Sequence, residues 1–304
     1  MEYWKQTFSE FSADRCTTLA AALAYYTAFA LPPLLYLLLT VLTFGMSLAY
    51  DSDHAKAEAH EVLTTQTAQL IGNDSISEEI SAILKSSDET SGKWWKTLLS
   101  FGGIVLGATG VVAALQDAMN QVWAVRPDPD KSGVKAMLRK RLMSFVMILG
   151  LGFLLLVSLI LSSLVAAAGE RLTEMIGIRF GLVSGLSYLV QAAVVMIVFA
   201  SIFKWMPDAK IQWREVIVGA SISTVLFLVG RYALDWYFSF ATPGAQLSSA
   251  AASIAVLLVW VYYTSMIVLF GAESSQVYAV RYGQGIRPNT HAVHVVESIE
   301  RTST

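Results

Sequence analysis

Several charged residues fall inside long apolar runs, where they could do chemistry. Asp117 and Glu273 each stand in a stretch that is otherwise almost free of charge. A carboxylate inside a membrane-length helix costs about 2.5–3.5 kcal/mol on insertion scales. At ~1.5 Å per residue, Asp117 lies about 9 Å along a helix from Trp123, and Glu273 about 8 Å from Tyr278. Both therefore come just inside an aromatic boundary of the kind that marks a membrane interface. Gln116 and Asn120 neighbour Asp117, and Arg15 falls at a similar depth. In one reading, Arg15, Asp117, Asn120 and Glu273 form a polar cluster at the cytoplasmic mouth of a cavity, holding a cation, a proton or a headgroup. In the other, an inter-helix salt bridge of Arg15 with Asp117 or Glu273 simply fixes the packing.

Arg231 and Asp235 are spaced i, i+4 and share one helix face. Arg231 is about 27 Å from Trp213 at ~1.5 Å per residue, which puts it toward the opposite, outer side. Its planar fork suits phosphate or carboxylate. The structural alternative is a local pair whose guanidinium reaches the outer interface.

Enzyme chemistry finds little to work with. Of the four histidines, His54 and His60 lie in one acidic segment, and His291 and His294 near the C-terminal end. None is in an apolar run, so no metal ligand set is expected there. A phosphate loop GxxxxGK[ST] and a GxSxG elbow are both missing from the sequence. The single cysteine, Cys16, excludes an internal disulfide and a cysteine zinc site. No cofactor and no metal is expected, and a net charge of −2 offers no basic field for nucleic acid.

The elements that must position these residues follow from composition. The 304 residues are 55% hydrophobic and only 14% charged, against about 25% charged in soluble domains. The mean hydropathy is +0.55. So much apolar surface calls for lipid as the solvent. The first sixteen residues hold Glu2, Glu10 and Asp14 against Lys5 and Arg15, unlike the positive start of a signal peptide, so the apolar run that follows is expected to be retained. Continuous apolar runs without period-two alternation predict an all-α polytopic protein with six transmembrane helices. The spans are roughly 33–50, 96–120, 142–168, 181–204, 214–239 and 249–277, making a transmembrane domain over 1–282 followed by a flexible cytoplasmic tail, 283–304.

The run from about Thr17 to Tyr50 is too long for one ordinary span, and it carries Pro32 and Pro33. Leu31 is pushed from helical geometry by the proline after it, and the prolines suit the first turn of a new helix. A short extra helix, 16–30, broken off at Pro32–Pro33, is one expectation. The other is a simple proline kink in one tilted helix. A short helix dipping into the bundle would have to face protein or a wet cavity.

The connecting segments set the direction. The 51–93 segment holds nine acids against Lys56, Lys85 and Lys93, whereas 121–141 carries Arg126, Lys131, Lys135, Arg139, Lys140 and Arg141. Lys204, Lys210 and Arg214 cluster in the next segment on that side, and 240–250 has no charge. Lys and Arg are retained in the cytoplasm during insertion, so both termini are expected inside and 51–93 outside. That outer segment is expected to form a small helical cap, with Ser75 and Glu78 spaced as a capping box. Its acids and histidines read as a solvated face rather than a metal site.

QVWAVR (121–126) and QVYAVR (276–281) echo each other at two inner ends, as any aromatic-then-arginine boundary does. Small residues gather in GLVSGLS (181–187), GASIS (219–223) and SSAAAS (248–253), where helices can approach closely or leave room for a substrate.

Four stretches in order, AAALAYYTAFALPPLL (20–35), GATGVVAALQDAMNQVW (107–123), MPDAKIQWREVIVGASISTVLF (206–227) and LLVWVYYTSMIVLFGAE (257–273), resemble the YihY/BrkB family of bacterial inner-membrane proteins. The resemblance covers about 5–282 and implies a six-span inner-membrane protein. Members carry a ribonuclease BN label or a virulence or serum-resistance label, and transport of lipid-like or small solutes is attached to the family. A Tyr-Gly pair before the last span is replaced here by Ser248-Ser249. Arg231 matches a basic position of the family, and Asp235 does not clearly match one.

The expected function is transport of a lipid-like or anionic amphiphilic substrate through an inward-opening cavity, with membrane lipids as partners. The alternative is a non-transporting scaffold, in which small-residue faces make a homo-oligomer. A ribonuclease resting on His54 and His60 comes third. The orientation is directly testable: an epitope tag inserted at Ser75 should be reached by antibody on intact spheroplasts. Detection only after lysis would put 51–93 in the cytosol and reverse the threading.

Overall fold

The computed structural model describes residues 2–47, 109–131, 180–240 and 249–296, with 54, 57–61, 63, 142, 146, 148–150 and 153 beside them. The first half of the span expected at 96–120, most of the span expected at 142–168, and most of the 51–93 segment lie outside the described residues. Helix dominates what is described. Helix α1 is Glu2–Ala13 and α2 is Cys16–Met46. Residues 109–122 belong to α3. Then come α4 (Phe180–Trp205), α5 (Trp213–Phe240) and α6 (Ser249–Tyr282). The last three are helical over the stretches read as apolar runs at 181–204, 214–239 and 249–277. Among the described residues, Trp213–Ala233 and Leu257–Tyr282 are long and apolar enough to cross a membrane, by length and composition. Cys16–Ala30 and Leu189–Trp205 are shorter apolar helices.

Helix α2 runs through Pro32 and Pro33 without interruption, so the break expected there is not found. Proline removes amide donors and crowds the preceding turn, but its φ near −65° is itself helical. Leu23 and Ala24 before the pair, and Leu39 and Leu42 after it, are all buried, so packing holds both halves in line. The interruption comes earlier. Arg15 adopts left-handed backbone angles, φ 51° and ψ 40°, and ends α1 against the start of α2. The Arg15 carbonyl then accepts the amides of Thr18 and Leu19, opening the new helix.

Helix α6 is the centre of the packing. It lies against α2, α5 and α1, and α5 packs in turn on α4. The α5–α6 seam is made by residues without bulk. A Cβ on Gly219 would come within 2.5 Å of the Gly271 carbonyl oxygen, and one on Gly271 would collide with Ser223 Oγ. Gly230 leaves room for the Tyr263 ring in the same way. The GASIS stretch thus serves close helix approach, the packing use of small residues in membrane helices. Ser223 Oγ donates to the Ile267 carbonyl at 3.2 Å, and Tyr263 donates to Leu226 at 2.9 Å. A train of aromatic contacts runs beside the seam: Trp123 to Phe203, Phe203 to Phe199, Phe199 to Phe227, and Phe227 to Trp260.

One end of the bundle is closed by two short antiparallel ribbons. Strand β1 (Val125–Pro127) pairs with β4 (Ala292–His294), Val125 opposite His294. Strand β2 (Ala209–Lys210) pairs with β3 (Arg287–Pro288), Ala209 opposite Pro288. Gly285, at φ 71°, lets the chain turn back after α6, and its amide caps the Ala279 carbonyl. The segment read from sequence as a tail from 283 therefore folds onto the bundle as far as His294. Backbone pairing with two distant segments outweighs its polar composition.

Replacing Gly219 by valine should destabilise the bundle by about 1–3 kcal/mol, the usual cost of overpacking. Thermal unfolding of the detergent-solubilised protein would register it, and an unchanged midpoint would contradict the close seam.

Candidate functional site at the closed end of the bundle

The ends of α3, α4 and α6 and the starts of α2 and α5 meet beneath the two ribbons, so residues far apart in sequence become neighbours. Glu273 of α6 is fully buried. Its Oε1 accepts the thiol hydrogen of Cys16, at an Sγ–O distance of 3.3 Å, and Cys16 is itself fully buried at the first position of α2. The Asp14 carboxyl, in the turn before α2, lies within charge range of Glu273, with Glu10 behind it. A side-chain hydrogen bond joins the Glu273 and Asp14 carboxyls, and Oε2 of Glu273, buried, accepts from no amide, hydroxyl, thiol or cationic group among the described residues. The described ion pairs, Arg281 with Glu2 and His291 with Asp208, do not include it. An acceptor-only oxygen in a low-dielectric site beside a second carboxyl calls for positive charge, whether a proton, a small cation or an ammonium group.

A second polar group stands a short step away through α3. Asn120, buried, donates from Nδ2 to Asp208 Oδ2 at 3.0 Å and accepts the Asp208 amide on Oδ1 at 2.8 Å. Asp208 Oδ1 also meets His291 Nε2 at 2.9 Å. The Asp208 carbonyl accepts the Asn289 amide. Three elements, the last turn of α3, the α4–α5 connection and the C-terminal ribbon, are joined by these contacts. The next residue of α3, Gln121, donates to the Asp14 carbonyl at 3.2 Å, so the Glu273 neighbourhood and the Asn120–Asp208–His291 chain share one helical turn.

The structure distributes the residues singled out from sequence unevenly. Glu273 and Asn120 both sit in this polar end, in adjoining networks. Arg15 is there through its backbone, with its residue surface exposed, and the group facing Glu273 from that turn is Cys16 rather than the guanidinium. Asp117 is exposed on α3 while Gln116 beside it is buried. At the far end of α5, Arg231 is half-buried and its Nε lacks a hydrogen-bond partner among the described residues. The side chain of Asp235 lies outside the described residues, as do those of Pro32 and Pro33. Among the described residues, no three His, Cys, Asp or Glu side chains are placed to hold a metal ion.

Sequence reasoning passed over Cys16, Asp14, Asp208 and His291. Asp208 had a signal, since it is an acid held between the boundary tryptophans Trp205 and Trp213. His291 had none, because only the ribbon pairing brings it under Asp208.

Against known proteins, the family description "Virulence factor BrkB" matches residues 7–294. The chain is 24% identical over 273 residues to a "UPF0761 membrane protein" of Aeromonas salmonicida (strain A449), covering 88% of this chain and 86% of that one. It is 24% identical over 276 residues to a protein of the same description from Alkalilimnicola ehrlichii (strain ATCC BAA-1101 / DSM 17681 / MLHE-1), where it spans 88% of this chain and 56% of the relative. The "Putative ribonuclease-like protein YfkH" of Bacillus subtilis (strain 168) is 24% identical over 285 residues, covering 90% and 94%. No solved structure matches the chain. With a buried carboxyl in an apolar helix, a polar closure at one end, and a family match over nearly the whole length, the chain belongs to the BrkB family of membrane proteins.

Proposed function

We propose that this protein threads the bacterial inner membrane six times, with both termini in the cytoplasm, and transports a lipid-like or anionic amphiphilic substrate. A cavity opens inward, and Glu273 stands at its inner mouth. The observation that carries this reading is the fully buried Glu273 carboxyl, held against the Cys16 thiol and the Asp14 carboxyl across the start of α2, with no cationic group among its described partners. An ionisable group placed inside a membrane helix is costly to retain and marks a pathway for substrate or ion more often than it marks packing alone. Arg231, half-buried toward the opposite end of α5, supplies a cation for an anionic headgroup there.

No described feature supports the ribonuclease label. The histidines on which it would rest are an exposed His54 and a half-buried His60.

Purified protein in liposomes bearing a fluorescent phosphatidylglycerol should speed movement of the probe between leaflets. Glu273→Gln keeps the shape and removes the ionisable group. It should slow that movement about tenfold, the effect of losing about 1.4 kcal/mol, without lowering the yield of folded protein. No movement by the unaltered protein, for lipid or for small anionic solutes, would refute transport and leave the scaffold reading. A Glu273→Gln variant as fast as the original would keep transport and remove the carboxyl from it.

A further inference from the structure

Helix α1 was not singled out from sequence, yet its residues divide cleanly around the axis. At 3.6 residues per turn, Tyr3, Trp4, Thr7, Phe8 and Phe11 fall on one arc, and Glu2, Lys5, Gln6, Ser9 and Ser12 on the other. Only half of the apolar arc is covered by protein. Thr7 is fully buried, and Tyr3 donates its hydroxyl to the Ser274 carbonyl at 2.7 Å. The other half stands open: Trp4 is 48% and Phe8 62% exposed, one turn apart.

The contacts of α1 with α6 are graded by polarity. Near the end of α6, Arg281 binds Gln6 Oε1 at 2.6 Å and pairs with Glu2. Eleven residues earlier along α6, Phe270 gathers Trp4, Phe8 and Phe11 around its ring, with Phe8 at 5.0 Å and Phe11 at 5.6 Å between centroids. The polar edge of α1 thus lies toward the C-terminal end of α6, at Arg281, and its open aromatic edge lies further back along this membrane-length helix, at Phe270. Twelve residues are too few to cross a bilayer, which takes about 20.

We propose that α1 is an interfacial helix whose Trp4–Phe8 face docks on the lipid surface, at the bilayer boundary where α6 emerges. The occupant is lipid because the open face continues the lipid-directed side of a membrane-length helix and faces away from the polar edge. The paired Trp205 and Trp213, both half exposed at the same end of the bundle, mark the same boundary. The polar arc carries Glu2 and Glu10 against Lys5, so apolar burial rather than attraction to anionic headgroups drives the docking. The helix then ties the Asp14–Arg15 turn, and with it the Cys16–Glu273 contact, to the membrane surface.

The test places a nitroxide label at Phe8→Cys and, separately, at Trp4→Cys in the full chain, reconstituted in phosphatidylethanolamine–phosphatidylglycerol liposomes. Ser9→Cys, exposed on the polar arc, is the contrast, and unaltered protein controls for the buried Cys16. Power saturation should find labels at 4 and 8 oxygen-accessible and shielded from a water-soluble nickel chelate, about 5–10 Å into the boundary, with the label at 9 reversed. Nickel access at 4 and 8 equal to that at 9 would overturn the proposal. Spin–spin broadening at 8 that grows with the protein-to-lipid ratio would also overturn it, by assigning the face to a second copy of the chain. Two label sites guard against one variant failing to fold.

Discussion

The close passage of α5 over α6 is the contact on which the rest of this molecule depends. Lipid offers no hydrophobic reward for joining two apolar helices, so their association rests on dispersion and on backbone approach. Gly219 and Gly271 provide that approach, and Ser223, lying against Gly271, adds a hydrogen bond across it. Once α5 and α6 are set at this distance, Phe203, Phe199, Phe227 and Trp260 fall into contact beside the seam. The opposite sides of α6 are left to α2 and α1. Helix α6 is therefore surrounded over much of its described length, and that is how Glu273 comes to be fully buried.

Polar groups are concentrated at the end of the bundle that the two ribbons close. Backbone amides and carbonyls left over where helices stop must find partners when water is scarce. The two ribbons satisfy some of them, and Asn120, Asp208 and His291 satisfy others through side chains. Burial also holds the Tyr3 phenol above its ordinary pKa, and its hydroxyl donates to the Ser274 carbonyl. The Ser274 and Ser275 hydroxyls beside Glu273 are likewise buried without a partner among the described residues, so the polar strip of α6 around Glu273 is the least satisfied part of this end.

The sequence was most informative where one physical term dominates. Apolar length located α4, α5 and α6 within a few residues, because a helix in lipid must be continuous and apolar over its whole span. It failed where terms compete. Pro32 and Pro33 argued for a break by local sterics, but the core packing of Leu23, Leu39 and Leu42 kept α2 whole. The interruption fell instead at Arg15, a residue with no bias toward left-handed angles, so nothing local announced it. The polar composition after Tyr282 argued for a tail, and backbone pairing with segments more than 70 residues away made ribbons of it as far as His294.

From its residues alone, then, this chain reads as a helical membrane protein with costly charges in its apolar runs and basic, aromatic-flanked connecting segments, because partition between water and lipid is additive along the chain. Which of those charges meet was decided only by the fold. Glu273 faces Cys16 and Asp14, Asn120 holds Asp208, and His291 closes the group. Such contacts depend on the rotation of one helix about its axis relative to the next. That rotation is set by side-chain fit across the seams, which no single segment contains.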